Sequence, residues 1–84
     1  MDFTFLPHAL EAMEERNIPK QMVENVLNNP DEIVPEKKKR NSYQSVVQIR
    51  GKPFMIRVIV DEKGRVITVY RTSKVSRYRS NPDE

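Results

Sequence analysis

Near Asn41 the spacing of apolar residues changes from three or four positions to two, so no single kind of regular structure suits the whole chain. Before that point the pattern is helical. Leu6, Ala9, Leu10 and Met13 form a stripe with Glu11, Glu14 and Glu15 on the other side, and Pro7 fits a first helical turn, where a missing N–H costs nothing. Asn17 ends this segment and Pro19 opens a second, whose stripe is Val23, Val26 and Leu27. Ile18 is placed to pack back on Met22 or Val23 as a staple, and Asn28-Asn29-Pro30 stops the segment. These two segments predict a helical hairpin.

Beyond Asn41, residues 43–50, 53–61 and 65–72 are rich in Val, Ile, Thr and Tyr and predict three strands, with 32–35 as a short leading strand. Gly51-Lys52 and Lys63-Gly64 are two-residue turn candidates, which makes the sheet an antiparallel meander. With those turns, Val46 is expected opposite Arg57, Val47 opposite Ile56, Arg57 opposite Tyr70, Val58 opposite Val69 and Val60 opposite Ile67. One face then carries Tyr43, Val47, Ile49, Phe54, Ile56, Val58, Val60, Ile67 and Val69, and is the face the helices must cover. The other carries Gln44, Val46, Gln48, Met55, Arg57, Ile59, Thr68 and Tyr70, a mixed surface. The expected fold is α+β, with two N-terminal helices on an antiparallel sheet of three to four strands. It forms one domain over residues 1–75, followed by a polar basic tail at 76–84, ordered only in its first part.

A chain of 84 residues holds one small domain at most, and its 22 Leu, Ile, Val and Phe residues suffice for a core. With no cysteine and one histidine, no disulfide scaffold, thiol nucleophile or zinc-type site is expected. The longest apolar run, 54–60, is interrupted by Arg57 and is too short to span a bilayer. The first residues show neither a basic leader nor an apolar signal core, so a mature, soluble, cytoplasmic protein is expected. The net charge of +3 is unevenly spread: residues 1–35 carry seven acids and two bases, residues 36–84 five acids and thirteen bases. A basic half of this kind suits a polyanion such as RNA, or serves solubility alone.

Arg57 is the most informative residue. An arginine in the middle of an apolar strand must meet solvent, a partner or an anion, and its expected neighbours include Thr68 and Tyr70. Guanidinium, hydroxyl and phenol on one face suit phosphate binding, and a guanidinium stacked on Tyr70 is the plainer reading. Arg71, Lys74, Arg77 and Arg79, with Tyr78 among them, suit phosphate contact and base stacking on single-stranded RNA, or form a solvated cationic tail. His8, in the first helical turn, is a candidate neutral general base, or donates to a nearby carbonyl and does nothing more. Arg16 is expected to pair with an acid or cap its helix. The two glycines lie in separate turns, so there is no phosphate-binding glycine loop.

His8-Ala9, Met13, Arg16, Ile18, Asn29-Pro30, Arg57-Val58-Ile59-Val60 and Val66-Ile67-Thr68-Val69-Tyr70 together resemble the bacterial domain of unknown function 4258 family over about residues 3 to 75. Ala12 stands where the family usually has an arginine, and Asn17 where it has a glycine. The resemblance implies a compact fold similar to RelE/ParE-like toxins, within the barnase/EndoU/colicin/RelE group, in which two helices pack on a curved antiparallel sheet. Similar folds include metal-independent endoribonucleases, toxins with other targets and members with no known catalysis; the first expectation for this chain is a metal-independent endoribonuclease without cofactor, the toxin of a toxin–antitoxin pair with an antitoxin protein as partner. In that reaction His8 is cast as base or acid, Arg57 and Lys74 as charge stabilisers, and Tyr70 as stacking surface or proton donor. Thr68, Arg71, Arg77 and Tyr78 are cast as RNA contacts. The alternative is a non-catalytic module that binds RNA or a protein on the basic sheet face.

Overall fold

The computed structural model describes residues 2–79. In chain order the elements are β1 (Thr4–Phe5), α1 (Pro7–Glu15), α2 (Lys20–Asn28), β2 (Glu32–Glu36), β3 (Arg40–Ile49), β4 (Lys52–Val60), β5 (Arg65–Thr72) and α3 (Val75–Tyr78). A single 3-10 turn, Lys37–Lys39, joins β2 to β3. The sheet has five strands in the order β1-β5-β4-β3-β2, not three to four. Two pieces account for the difference: β2 is a full edge strand, and β1 pairs in parallel with β5 on the opposite edge.

Helix α1 ends as its sequence dictates. Asn17 takes a left-handed φ of 54°, Ile18 N–H bonds to Met13 O at 2.9 Å, and Asn17 N–H bonds to Glu14 O at 3.2 Å. This Schellman closure brings Ile18 over Met13, and both enter the core. Pro19 then opens α2, and Ile18 and Val23 share the core as a hydrophobic staple would require. The buried side of α1 is Ala9, Ala12 and Met13, with Leu10 43 % exposed. The expected stripe is therefore rotated: the two alanines let α1 lie close on β5, and Leu10 falls outside the contact.

Two registers differ from expectation, each for a local reason. The β3–β4 turn is Arg50-Gly51, both at positive φ (54° and 79°), and Ile49 pairs with Lys52. Glycine takes the second central position, as a type I′ hairpin favours, so Gln44 rather than Val46 lies opposite Arg57. A slip of two residues keeps every side chain on its expected face. On the other hairpin Arg57 pairs with Tyr70, Val58 with Val69 and Ile59 with Thr68, as expected; then a bulge pairs Val60 with Val66. The turn here is Glu62 to Gly64, closed by Asp61 N–H to Arg65 O at 3.0 Å. The bulge sends Val66 into the core in place of Ile67, which is half-buried and outside the cluster.

Between the helices and the sheet lies a core of Ala9, Met13, Val23, Val26, Ile56, Val58, Val66 and Val69, among others. Val47 is half-buried at its margin. Phe3 closes one side, edge-on to Tyr43 with ring centroids 5.5 Å apart. Among the described residues no helix is long and apolar enough to cross a membrane.

Candidate functional site

The sheet face away from α1 and α2 is not an open mixed surface. Met55, Ile59, Ser42, Gln44 and Arg57 on that side are all buried. The register explains how the polar ones tolerate it. Glu32, Gln44, Arg57 and Tyr70 stand directly opposite one another on β2, β3, β4 and β5, so four polar side chains form one row across the sheet.

Gln44, with no exposed surface, lies near the centre of this row. Its carbonyl oxygen accepts from Arg57 Nε and from Ser42 Oγ, both at 2.8 Å. Its amide nitrogen donates to Glu32 Oε2 at 2.8 Å and to the backbone carbonyl of Tyr78 at 2.9 Å. Arg57 Nη1 donates to the Tyr70 hydroxyl, and Nη2 donates to Glu36 Oε2 at 2.6 Å. All three guanidinium nitrogens thus have partners, and no buried side-chain nitrogen or oxygen among the described residues lacks one. Burial opposes the Arg57 charge, but the hydrogen bonds and charges of Glu36 and Tyr70 outweigh it, so the guanidinium is held above its ordinary range. A buried, fully bonded arginine of this kind fixes the geometry of everything around it.

The Arg57 guanidinium also lies over two tyrosine rings. The Tyr78 ring centroid is 4.6 Å from the guanidinium carbon, and that of Tyr70 5.7 Å. Tyr78 belongs to α3, so the start of the basic tail folds back over the row, and Arg77 lies 5.8 Å from the same ring. Residues 80–84 of that tail, Arg79's continuation, lie outside the described residues.

Next to this row is a hollow of about 460 Å³, lined by Glu36, Lys37, Lys38, Arg40, Ile59, Thr68 and Tyr70. Three cations stand on one rim, with the Tyr70 and Thr68 hydroxyls and the apolar Ile59 also in the lining. Lys38 and Lys39 hold left-handed backbone, at φ 61° and 58°. For residues other than glycine this costs about 1–2 kcal/mol each, and such strain collects where function needs a particular shape.

The structure brings Arg57, Tyr70, Thr68, Tyr78 and Arg77 to this face. It does not bring His8 there. His8 is exposed on α1, whose Ala9 and Met13 pack against the Val58 side of β4, so the sheet lies between His8 and Arg57. Lys74 is exposed just before α3, its N–H bonded to Thr72 Oγ1 at 3.1 Å. Arg71 points to the helix side, 5.8 Å from the Phe54 ring, in a separate hollow of about 540 Å³ with Asn17, Ile49, Arg50 and Lys52. Among the described residues Arg16 pairs with no acid; it stands at the C-cap of α1 with its backbone N–H on Ala12 O at 3.0 Å, and its Nη1 donates to Val69 O at 2.9 Å and ties α1 to β5. A further hollow of about 650 Å³ between α2 and β3 is lined by Met22, Val26 and Val47 with Asn25 and Asp31, and no cation lines it. Among the described residues no group of three or more His, Asp or Glu side chains could hold a metal ion.

Sequence reasoning missed Glu36, Gln44 and the 37–40 rim. The signal for Gln44 was the glycine position in the β3–β4 turn, which sets the register. For Glu36 it was that a buried arginine on a central strand calls for a carboxylate nearby.

The family described as a domain of unknown function (DUF4258) matches residues 5–71, most of the folded part. The chain belongs to that family. No curated protein and no solved structure matches it.

Proposed function

We propose that this DUF4258 chain binds single-stranded RNA on the sheet face opposite α1 and α2. The hollow lined by Lys37, Lys38, Arg40, Thr68 and Tyr70 carries the reading. Cations on a rim over a phenol and a hydroxyl provide phosphate contacts, a stacking surface and a partner for a 2′-hydroxyl in one place. The charge that binds is on the rim and not on Arg57, which Glu36 neutralises. Affinity should fall steeply with salt, and changing Lys37, Lys38 and Arg40 together to Ala should flatten the log–log slope by about two units. Changing Arg50, Lys52 and Arg71 on the helix side is the matched control and should leave more of the slope intact. Absence of binding at low salt would move the reading to a protein partner.

The narrower form of this reading is a metal-independent endoribonuclease, similar to RelE/ParE-like toxins and partnered by an antitoxin. The observation favouring it is that Glu36 and Tyr70 both touch Arg57 and both line the hollow. In that form Glu36 takes the proton of the attacking 2′-hydroxyl, and Tyr70 gives one to the leaving 5′-oxygen. The rim cations offset the charge on phosphorus, and His8 has no part. Cleavage of total RNA in the presence of chelator, leaving 2′,3′-cyclic phosphate ends and lost in Glu36→Gln, is the outcome that supports it. Intact RNA that is nonetheless bound leaves the non-catalytic module.

A further inference from the structure

We propose that Tyr78 sits in a nucleobase site of its own chain, and that a base of single-stranded RNA binds there by displacing α3. The inference rests on the RNA reading above and names the second half of the same site. The platform is the face of Arg57, with the Tyr78 ring 4.6 Å from its guanidinium carbon. The specificity element is Gln44, whose amide nitrogen donates to the Tyr78 carbonyl at 2.9 Å. A ring against the guanidinium and a carbonyl oxygen on the Gln44 amide, here from the Tyr78 backbone, are the two kinds of contact that the ring and the exocyclic oxygen of a uracil or guanine would supply.

Both elements are fixed before any ligand arrives. Arg57 is held at its edge by Gln44, Tyr70 and Glu36, so it offers a face and not a fork. Gln44 is oriented by Ser42 and Glu32, which leaves one amide hydrogen for the occupant. The occupant is held by the Gln44 hydrogen bond and the ring contact, on a helix of four residues without a side-chain cap. Four residues of helix cannot persist without tertiary support, and short terminal elements open at the low end of the stability range. The platform also adjoins the cationic hollow, because Glu36 and Tyr70 belong to both. A phosphate on the rim thus places a neighbouring base within reach of Arg57.

The test uses the full chain, a short fluorescent oligouridylate and an abasic ribose-phosphate oligomer of the same length. Oligouridylate should bind at least about fivefold tighter than the abasic oligomer, as one stacked base implies. Tyr78→Ala should tighten oligouridylate further, by up to about tenfold if the closed form dominates, and leave the abasic oligomer unchanged. The chain has no tryptophan, so Tyr78→Trp supplies a single indole on the same platform. That indole should be shielded from acrylamide in the free protein and exposed by oligouridylate but not by the abasic oligomer. The Tyr78→Trp readout stands even if Tyr78→Ala fails to fold. Equal affinity for the two oligomers, with the indole still shielded at saturation, overturns the base site and leaves phosphate binding on the rim intact. Failure of both oligomers to bind at low salt overturns the RNA reading and the base site together.

Discussion

Arg57 and Val58 are neighbours on β4 and point to opposite faces of one sheet, yet neither is more than 4 % exposed. Val58 is buried because α1 and α2 cover it with apolar side chains, and its contribution is the removal of hydrocarbon from water. Arg57 is buried because three other strands supply partners for it and α3 lies over it. The helix face tolerates substitution of one apolar group by another. The far face is conditional: each polar group is stable only while its partners are in place. A sheet with one face built each way gains stability from the first and a fixed constellation from the second.

The sharpest way to break this comparison is to truncate both neighbours. Arg57→Ala strips Glu36 of its ion pair, Tyr70 of its hydroxyl's donor and Gln44 of one of its two donors, and should cost about 3–5 kcal/mol, as removal of one member of a buried pair does. Val58→Ala removes hydrocarbon from a packed site and should cost about 1–3 kcal/mol. Urea unfolding of both variants checks the order. A smaller loss at Arg57 than at Val58 would mean the polar row is not structurally required. Glu36, 33 % exposed at its side chain, should lose less on truncation than Arg57, since water can replace it at the edge. The Glu36→Ala/Arg57→Ala double variant should then fall short of the sum of the two singles.

The two faces also differed in how far the sequence revealed them. The helix face was legible because Arg57 on β4 and Thr68 and Tyr70 on β5 mark the opposite side from Ile56, Val58 and Val69, and that assignment survives a register error of two. What it could not supply was Val66, because that residue reaches the core only through the bulge that the Asp61 turn imposes. The far face was misread as a mixed surface. Gln44 and Ser42 look like solvent-facing residues, and nothing local to them says that Arg57 lies opposite. Two-residue β1 was likewise invisible, since Thr4–Phe5 becomes a strand only by pairing with Arg65 and Val66, near the other end of the chain. Of the site, Arg57 and Tyr70 were found together because their hairpin register was right. His8 was assigned to it although the sheet separates them, a fact of layering that periodicity does not carry.

The Asp61 turn, where the two faces are joined by the bulge, gives a smaller, pH-dependent test. The Asp61 carboxylate is held below its usual range, first by the Arg65 backbone N–H, then by the Arg65 side chain and the Lys63 N–H. A depressed folded-state value means the unfolded chain takes up the proton more readily. The stabilisation is therefore present above the ordinary carboxylate value of about 3.9 and is lost as pH falls through the folded value below it. Asp61→Asn should be nearly as stable as wild type at acid pH and less stable at neutral pH. Urea midpoints at the two pH values check this. An equal deficit at both would assign the turn to geometry alone.

The smallest effect is expected at a left-handed position, and it separates strain that closes an element from strain that shapes a site. Asn17 closes α1 at φ 54°, whereas Lys38 and Lys39 at φ 61° and 58° belong to the loop beside the cationic hollow. Asn17→Gly relieves the side chain's cost of a left-handed backbone but adds freedom to the unfolded chain, which cancels part of the gain. A net gain of a few tenths to about 1 kcal/mol is expected, with RNA affinity unchanged. Lys38→Gly should stabilise to a similar degree, because the same strain is relieved. It should also weaken RNA binding, because it removes a rim charge and lets the loop abandon the shape that presents the others. Thermal midpoints and salt-dependent binding, measured on both variants, make the distinction. If Lys38→Gly gained stability with no loss of affinity, the strained lysines would belong to the fold and not to the site.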